Sequence, residues 1–157
     1  DLDAYRRLLA PYGETLEGFR APESRWSPAV LAALCEAGLR WNAEADVFST
    51  PYVITRAGGN RLWRLPVVAD DWMMQGSGMT PERMLAEWQA NVDVIMRRRR
   101  YGAVGFHPWV LGMHPERMTA FRSLMRMLRR RDGLTLLTFG AVARECERRL
   151  AARGGQP

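Results

Sequence analysis

The sequence predicts an α/β fold with a mostly parallel sheet. Helical segments with apolar stripes alternate along it with short apolar runs of extended character. Pro and Gly mark nearly every junction between them. A chain of 157 residues, 47% hydrophobic and 25% charged, can bury one core of ordinary composition and is too apolar to be disordered. No apolar run reaches the roughly 18 residues of a membrane span. The opening DLDAYRRLLA lacks the apolar stretch of a secretory signal. A cytoplasmic protein without a membrane partner is therefore expected.

The elements follow in order. Residues 3–10 (DAYRRLLA) read as a helix end stopped by Pro11 and Gly13. Residues 16–20 (LEGFR) read as a short strand ending at Ala21-Pro22. Ser27-Pro28 is an N-cap with Pro at the first helical position, and that helix stops at Gly38. Extended pieces follow at 39–43 (LRWNA), 51–56 (PYVITR) and 62–69 (LWRLPVVA), with a Gly58-Gly59-Asn60 turn between the last two. After a loop at 70–79, Thr80-Pro81 opens a second helix with Met84, Leu85, Trp88, Val92, Ile95 and Met96 on one stripe. It ends in Arg97 to Arg100, cations that suit a helix C-terminus. Residues 103–106 (AVGF) read as a buried strand and 107–114 as a loop. A third helix starts near Pro115 with Met118, Phe121, Met125 and Leu128 on one face. Residues 134–138 (LTLLT) read as a strand, and Thr138 caps a last helix running through Leu150. Residues 1–150 are expected to form a single domain and 151–157 a frayed tail.

The 23 basic residues are all Arg and outnumber 17 acidic ones, for a net charge of +6. They fall in runs at helix ends, without interleaved exposed aromatics, so a solvated helix face is expected rather than a nucleic-acid stripe. Cys35 and Cys146 sit far apart with no C-x-x-C. They read as small buried hydrophobes rather than as ligands of a zinc ribbon.

In a parallel sheet, functional residues sit on loops beyond the C-terminal strand ends. Loops 20–26 (RAPESRW), 70–79 (DDWMMQGSGM) and 107–114 (HPWVLGMH) qualify, and they hold both histidines and three of the six Trp. His107, directly after a strand, is placed as a general acid or base; the alternative is a structural loop histidine. Asp70-Asp71-Trp72 follows another strand, where a carboxylate can orient an imidazole, bind a metal or simply shape a polar turn. Arg20 at a strand end can pair with a carboxylate or lie on the surface. His114 reads as a helix cap, and Gly76-x-Gly78 is too sparse for a phosphate fingerprint.

Together, Gly18-Phe19-Arg20-Ala21-Pro22-Glu23, Leu65-Pro66 through Asp70-Asp71-Trp72, and Gly105-Phe106-His107-Pro108 with Leu111-Gly112 resemble the third, fourth and fifth motifs of the polysaccharide deacetylase family (carbohydrate esterase family 4). The branch they resemble also contains allantoinase-like amidohydrolases. The ending Thr-Phe-Gly-Ala-Val-Ala after Asp132-Gly133 looks like that branch too. The resemblance implies the C-terminal portion of a distorted (β/α) barrel with outer helices. It implies a metal-dependent hydrolase, with zinc as the divalent metal, that removes N-acetyl or related amide groups from a carbohydrate or small amide.

By position it makes His107 the general acid, Asp71 the residue that holds and tunes it, and Arg20 the residue that orients the base carboxylate. Trp72 becomes a groove wall, and Pro22, Glu23, Asp70 and Phe106 become substrate-binding residues. The first two motifs, which carry the base Asp and the Asp and two His that bind metal, have no counterpart here. The metal ligands are thus expected outside this chain, on an N-terminal half supplied as a second chain or a further segment. Where that family places an acyl-pocket Leu two residues before its His, this chain has Gly105. A catalytically silent half-barrel serving as an interaction module, and an allantoinase-like ureide hydrolase, are the alternative readings.

Overall fold

A computed structural model describes residues 2–57, 59–72, 79–98 and 101–154. They gather into two units. One comprises residues 1–44, 51–65 and 138–157, and the other residues 45–50 and 66–137.

The first unit begins with α1 (Leu2–Leu9) and a 3-10 turn at Ala10–Tyr12. Gly13 closes that turn in the left-handed region at φ 68°, where glycine carries no steric cost. β1 (Gly18–Phe19), a second 3-10 turn (Pro22–Ser24), α2 (Pro28–Glu36), β2 (Trp41–Asn42), β3 (Tyr52–Ala57) and β4 (Asn60–Arg64) follow. The final helix of the chain, Phe139–Gly154, also belongs here. The sheet order is β1-β2-β4-β3, with β1–β2 and β2–β4 parallel and β3–β4 an antiparallel hairpin. Gly59 takes φ 83° in the hairpin turn; Gly58 lies outside the described residues. The Ser27 cap forms as expected, its Oγ accepting from the Val30 N–H at 3.3 Å. The core gathers Leu31, Leu34, Cys35, Leu39 and Leu62.

The second unit contains β5 (Ala69–Asp70), α3 (Pro81–Arg98), β6 (Val104–Gly105), α4 (Pro108–Gly112) and α5 (Pro115–Arg129). The final helix is α6. Thr80 caps α3 through the Arg83 N–H at 3.4 Å. Met84 and Trp88 of α3 meet Leu111, Ala120 and Leu124 in the core. β5 and β6 pair in parallel, Ala69 opposite Val104 and Asp70 opposite Gly105. An isolated parallel bridge joins Ala45 to Val67.

The mixed α/β class and the predominance of parallel pairing agree with expectation; no closed barrel forms among the described strands. Four expectations change. Residues 134–138 are not a strand: among the described residues they have no ladder partner, and Leu136 and Leu137 are exposed. The pattern was right for β structure, but an extended segment becomes a strand only when another strand takes up its backbone groups. Residues 62–69 are not one strand. β4 ends at Arg64 and β5 begins at Ala69, because Pro66 has no N–H for a ladder. Within the expected loop 107–114, Pro108 starts the short helix α4, which buries Val110 and Leu111. The last helix passes Leu150 and reaches Gly154. Arg99, Arg100 and residues 155–157 lie outside the described residues. Among those described, no helix is long and apolar enough to cross a membrane.

Candidate active site

Parallel pairing sends the C-terminal ends of β5 and β6 to the same edge. Asp71 is one residue past β5 and His107 two past β6, so the two meet there. The Asp71 N–H extends the ladder to the Gly105 carbonyl at 3.2 Å. The Asp71 carboxylate then holds His107 twice: Oδ2 accepts the His107 backbone N–H at 2.9 Å, and Oδ1 lies 2.5 Å from Nδ1. Asp71 is only 1% exposed, while the His107 side chain is 30% exposed. A carboxylate at Nδ1 favours the tautomer with the proton on that nitrogen, which gives Nε2 the lone pair in the neutral ring. An imidazole so held can take up or release a proton at Nε2.

Two indoles cluster beside the ring. Trp72 and Trp109 are 53% and 47% exposed. Their rings stand edge to face at 5.3 Å and lie 6.1 and 5.7 Å from the His107 ring. Asp70 shapes the turn into Trp72, its Oδ1 accepting the Trp72 N–H at 3.1 Å. The Phe106 ring packs edge-on against Trp88 and Phe121 in the core of the unit. Trp109 was not singled out from the sequence; the signal for it was its place two residues beyond His107 on the same loop. His114 occupies the N-cap position of α5 but makes no capping hydrogen bond, and its Nδ1 lies 3.8 Å from Glu116. Residues 73–78 of loop 70–79, including Gly76 and Gly78, fall outside the described residues.

Arg20, Pro22 and Glu23 belong to the first unit. Arg20 follows β1 and is half-buried. Beyond it the loop turns tightly: the Ser24 N–H reaches the Ala21 carbonyl at 3.1 Å, and the Arg25 N–H reaches that of Pro22 at 3.1 Å. Glu23 and Ser24 carry positive φ of 54° and 53°, a strained state for residues with a Cβ. Glu23 makes an exposed ion pair with Arg25 at 2.9 Å. Under this loop lie Asn42, Glu44 and Arg64, all buried. Sequence reading passed over them. Asn42 and Glu44 alternate with Trp41, Ala43 and Ala45 just as Arg40 and Asp46 do, so spacing did not single them out.

Among the described residues, no group of three His, Cys, Asp or Glu could hold a metal ion. The metal that the motif resemblance implies does not fit the residues described.

The fold and site define a class: parallel β/α units with a histidine–carboxylate pair at the strand ends. Solved structures resemble the chain in fold. A protein assigned as a polysaccharide deacetylase from Mycobacterium smegmatis superposes at a TM-score of 0.79 with 22% identity, over 100% of this chain and 59% of that one. Another, from Pseudomonas aeruginosa PAO1, gives 0.79 and 19% identity over 94% of this chain and 51% of that one. The PuuE allantoinase gives 0.76 and 18% identity over 91% and 50%. These are the kinds of protein to which the three motifs pointed, and at such identities the likeness is one of fold. The chain spans roughly half to three-fifths of their lengths. No protein-family model and no curated protein sequence matches it.

Proposed function

We propose that this chain is the histidine-bearing part of a hydrolase acting on non-peptide C–N bonds, removing N-acetyl or related amide groups from a carbohydrate or small amide. The observation that carries this reading is the two-point grip of buried Asp71 on half-exposed His107. In amide hydrolysis, water adds to the carbonyl carbon, the C–N bond breaks, and the departing nitrogen needs a proton. His107 in its protonated form supplies that proton from Nε2. Asp71 fixes the ring, and its carboxylate stabilises the imidazolium. Trp72 and Trp109 offer apolar faces beside the reacting group. Arg20 orients a base carboxylate. That base, a divalent metal such as zinc, and the ligands for it belong to a complementary N-terminal half, present as a second chain or a further segment.

A ureide hydrolase uses the same proton transfer, and the fold likeness to the allantoinase favours testing that substrate as well. The lack of a three-ligand group among the described residues favours a second reading, a catalytically silent half-barrel that serves as an interaction module.

The test uses this chain assembled with its complementary half, with an N-acetylated chito-oligosaccharide and a ureide as substrates. His107→Ala is expected to lower turnover by about 10²–10⁴-fold with metal content unchanged. Undiminished turnover would remove His107 from the chemistry, and lost metal would make it a ligand instead. An assembly inert on both substrates would favour the interaction module.

A further inference from the structure

The polar network beneath loop 20–26 has a use beyond packing. Glu44 is fully buried. Its Oε1 accepts two hydrogen bonds, from the Ala21 N–H at 2.6 Å and from Asn42 Nδ2 at 2.9 Å. Its Oε2 is also buried and has no hydrogen-bond partner among the described residues. Asn42 Nδ2 donates as well to the Phe19 carbonyl at 3.2 Å, while Asn42 Oδ1 accepts from the Arg64 guanidinium at 2.6 Å. That guanidinium stands 4.5 Å from the centre of the exposed Trp26 ring. The network thus takes hold of the loop at both ends: Glu44 at Ala21, where the chain leaves β1, and Arg64 under Trp26, where it approaches α2.

Apolar side chains would fill this volume without the desolvation cost of a carboxylate and a guanidinium. Between the two grips, Glu23 and Ser24 hold positive φ. Such strain costs on the order of 1–3 kcal/mol per residue and persists only where the surroundings over-determine the backbone. Costly burial and a strained loop coincide at one place, immediately after Arg20.

We propose that Glu44 and Arg64 are positioning residues, which lock loop 20–26 and through it fix Arg20 for its partner carboxylate. The lock itself stands independently of the chemistry; its consequence for turnover rests on the hydrolase reading above.

Amide hydrogen exchange on the full chain tests the lock. Glu44→Ala should speed exchange at the Ala21 amide about ten-fold, roughly the loss of one hydrogen bond, with the amides of α2 unchanged. Glu44→Gln keeps an oxygen acceptor in the place of Oε1 and should restore protection. Should Glu44→Ala fail to fold, Arg64→Met is the second probe: acrylamide quenching of Trp26, measured against a Trp26→Phe background, should rise. Unchanged Ala21 exchange, no rescue by Gln, or unchanged Trp26 quenching would overturn the lock.

In the complete assembly, Glu44→Ala should lower kcat while sparing KM, with Glu44→Gln close to wild type. Faster exchange with an unchanged kcat would overturn the link to Arg20. A loss of kcat in Glu44→Gln as large as in Glu44→Ala would make the charge itself the working feature, against a positioning role. If His107→Ala instead leaves activity intact, the hydrolase reading falls while the exchange result still decides the lock.

Discussion

At His107 the chemistry depends on which ring nitrogen carries the proton. Asp71 Oδ1 beside Nδ1 favours the proton there. In Asp71→Asn the amide is drawn to present its carbonyl to the His107 backbone N–H, turning its NH₂ towards the ring. Nδ1 must then accept, and the proton moves to Nε2. Nitrogen-15 shifts of the imidazole in the neutral state should report Nδ1–H in the wild type and Nε2–H in the variant; the same tautomer in both would show that Asp71 does not set it. Asp71→Ala removes the acceptor altogether, leaving two donors of His107 unsatisfied at a half-buried position. It is expected to cost about 1–3 kcal/mol in urea denaturation. This pair was legible through the motif resemblance, which made Asp71 the residue that holds His107; the residues alone placed both near strand ends and left their roles open. Glu44, Asn42 and Arg64 were not. Their partners include the backbone of Ala21 and Phe19, and a carboxylate that bonds a distant main-chain N–H leaves no mark in residue spacing.

Among the elements, α6 shows how a helix is fastened to the sheet of the first unit. Glu147 receives the Arg61 guanidinium at 2.6 Å and the Trp63 indole N–H at 2.7 Å, both from β4. Arg61 holds the Glu147 carboxyl below its ordinary range, against the opposing effect of burial. A carboxylate whose folded pKa is lowered stabilises the fold above its unfolded pKa, roughly 4.3. That contribution disappears as pH falls through the lower, folded value. Glu147→Gln should therefore lower Tm by a roughly constant amount above about pH 4.5 and flatten its dependence on pH below that, the two proteins converging in acid. An identical acid limb in both proteins would dismiss the clamp. The β1–β2 pairing imposes a different constraint. A Cβ on Gly18 would lie 2.0 Å from the indole of Trp41, which is itself packed against Phe139 at 5.1 Å. Gly18→Ala is expected to destabilise by about 1–3 kcal/mol through overpacking; unchanged stability would mean that Trp41 repacks freely. Helices were legible through caps and stripes, because those signals are local. Residues 134–138 were misread because a strand exists only with a neighbour, and periodicity carries no information about the neighbour.

The whole molecule turns on what these 157 residues bring to a reaction and what they leave to others. They bring a histidine held by a buried carboxylate, exposed indoles beside it, and a buried polar network beneath the loop that follows Arg20. Among the described residues they bring no three-ligand group for a metal. His107 is engaged by Asp71, and His114 stands beside Glu116 at the head of α5. Catalytic zinc sites use three protein ligands and leave a fourth position open; one or two scattered donors give far weaker binding. Calorimetric titration of zinc into the chain alone should therefore find weak or no binding, whereas the same titration into the chain joined with a complementary half should find one stoichiometric site. Tight one-to-one binding by the chain alone would overturn the division of labour proposed here. It would make His107 or His114 a ligand and take from His107 the proton transfer on which the hydrolase reading rests. Weak binding by both would leave the proposed acid without an activated water to serve, and the interaction module would then be the better account of why an α/β chain presents a histidine beside two exposed indoles.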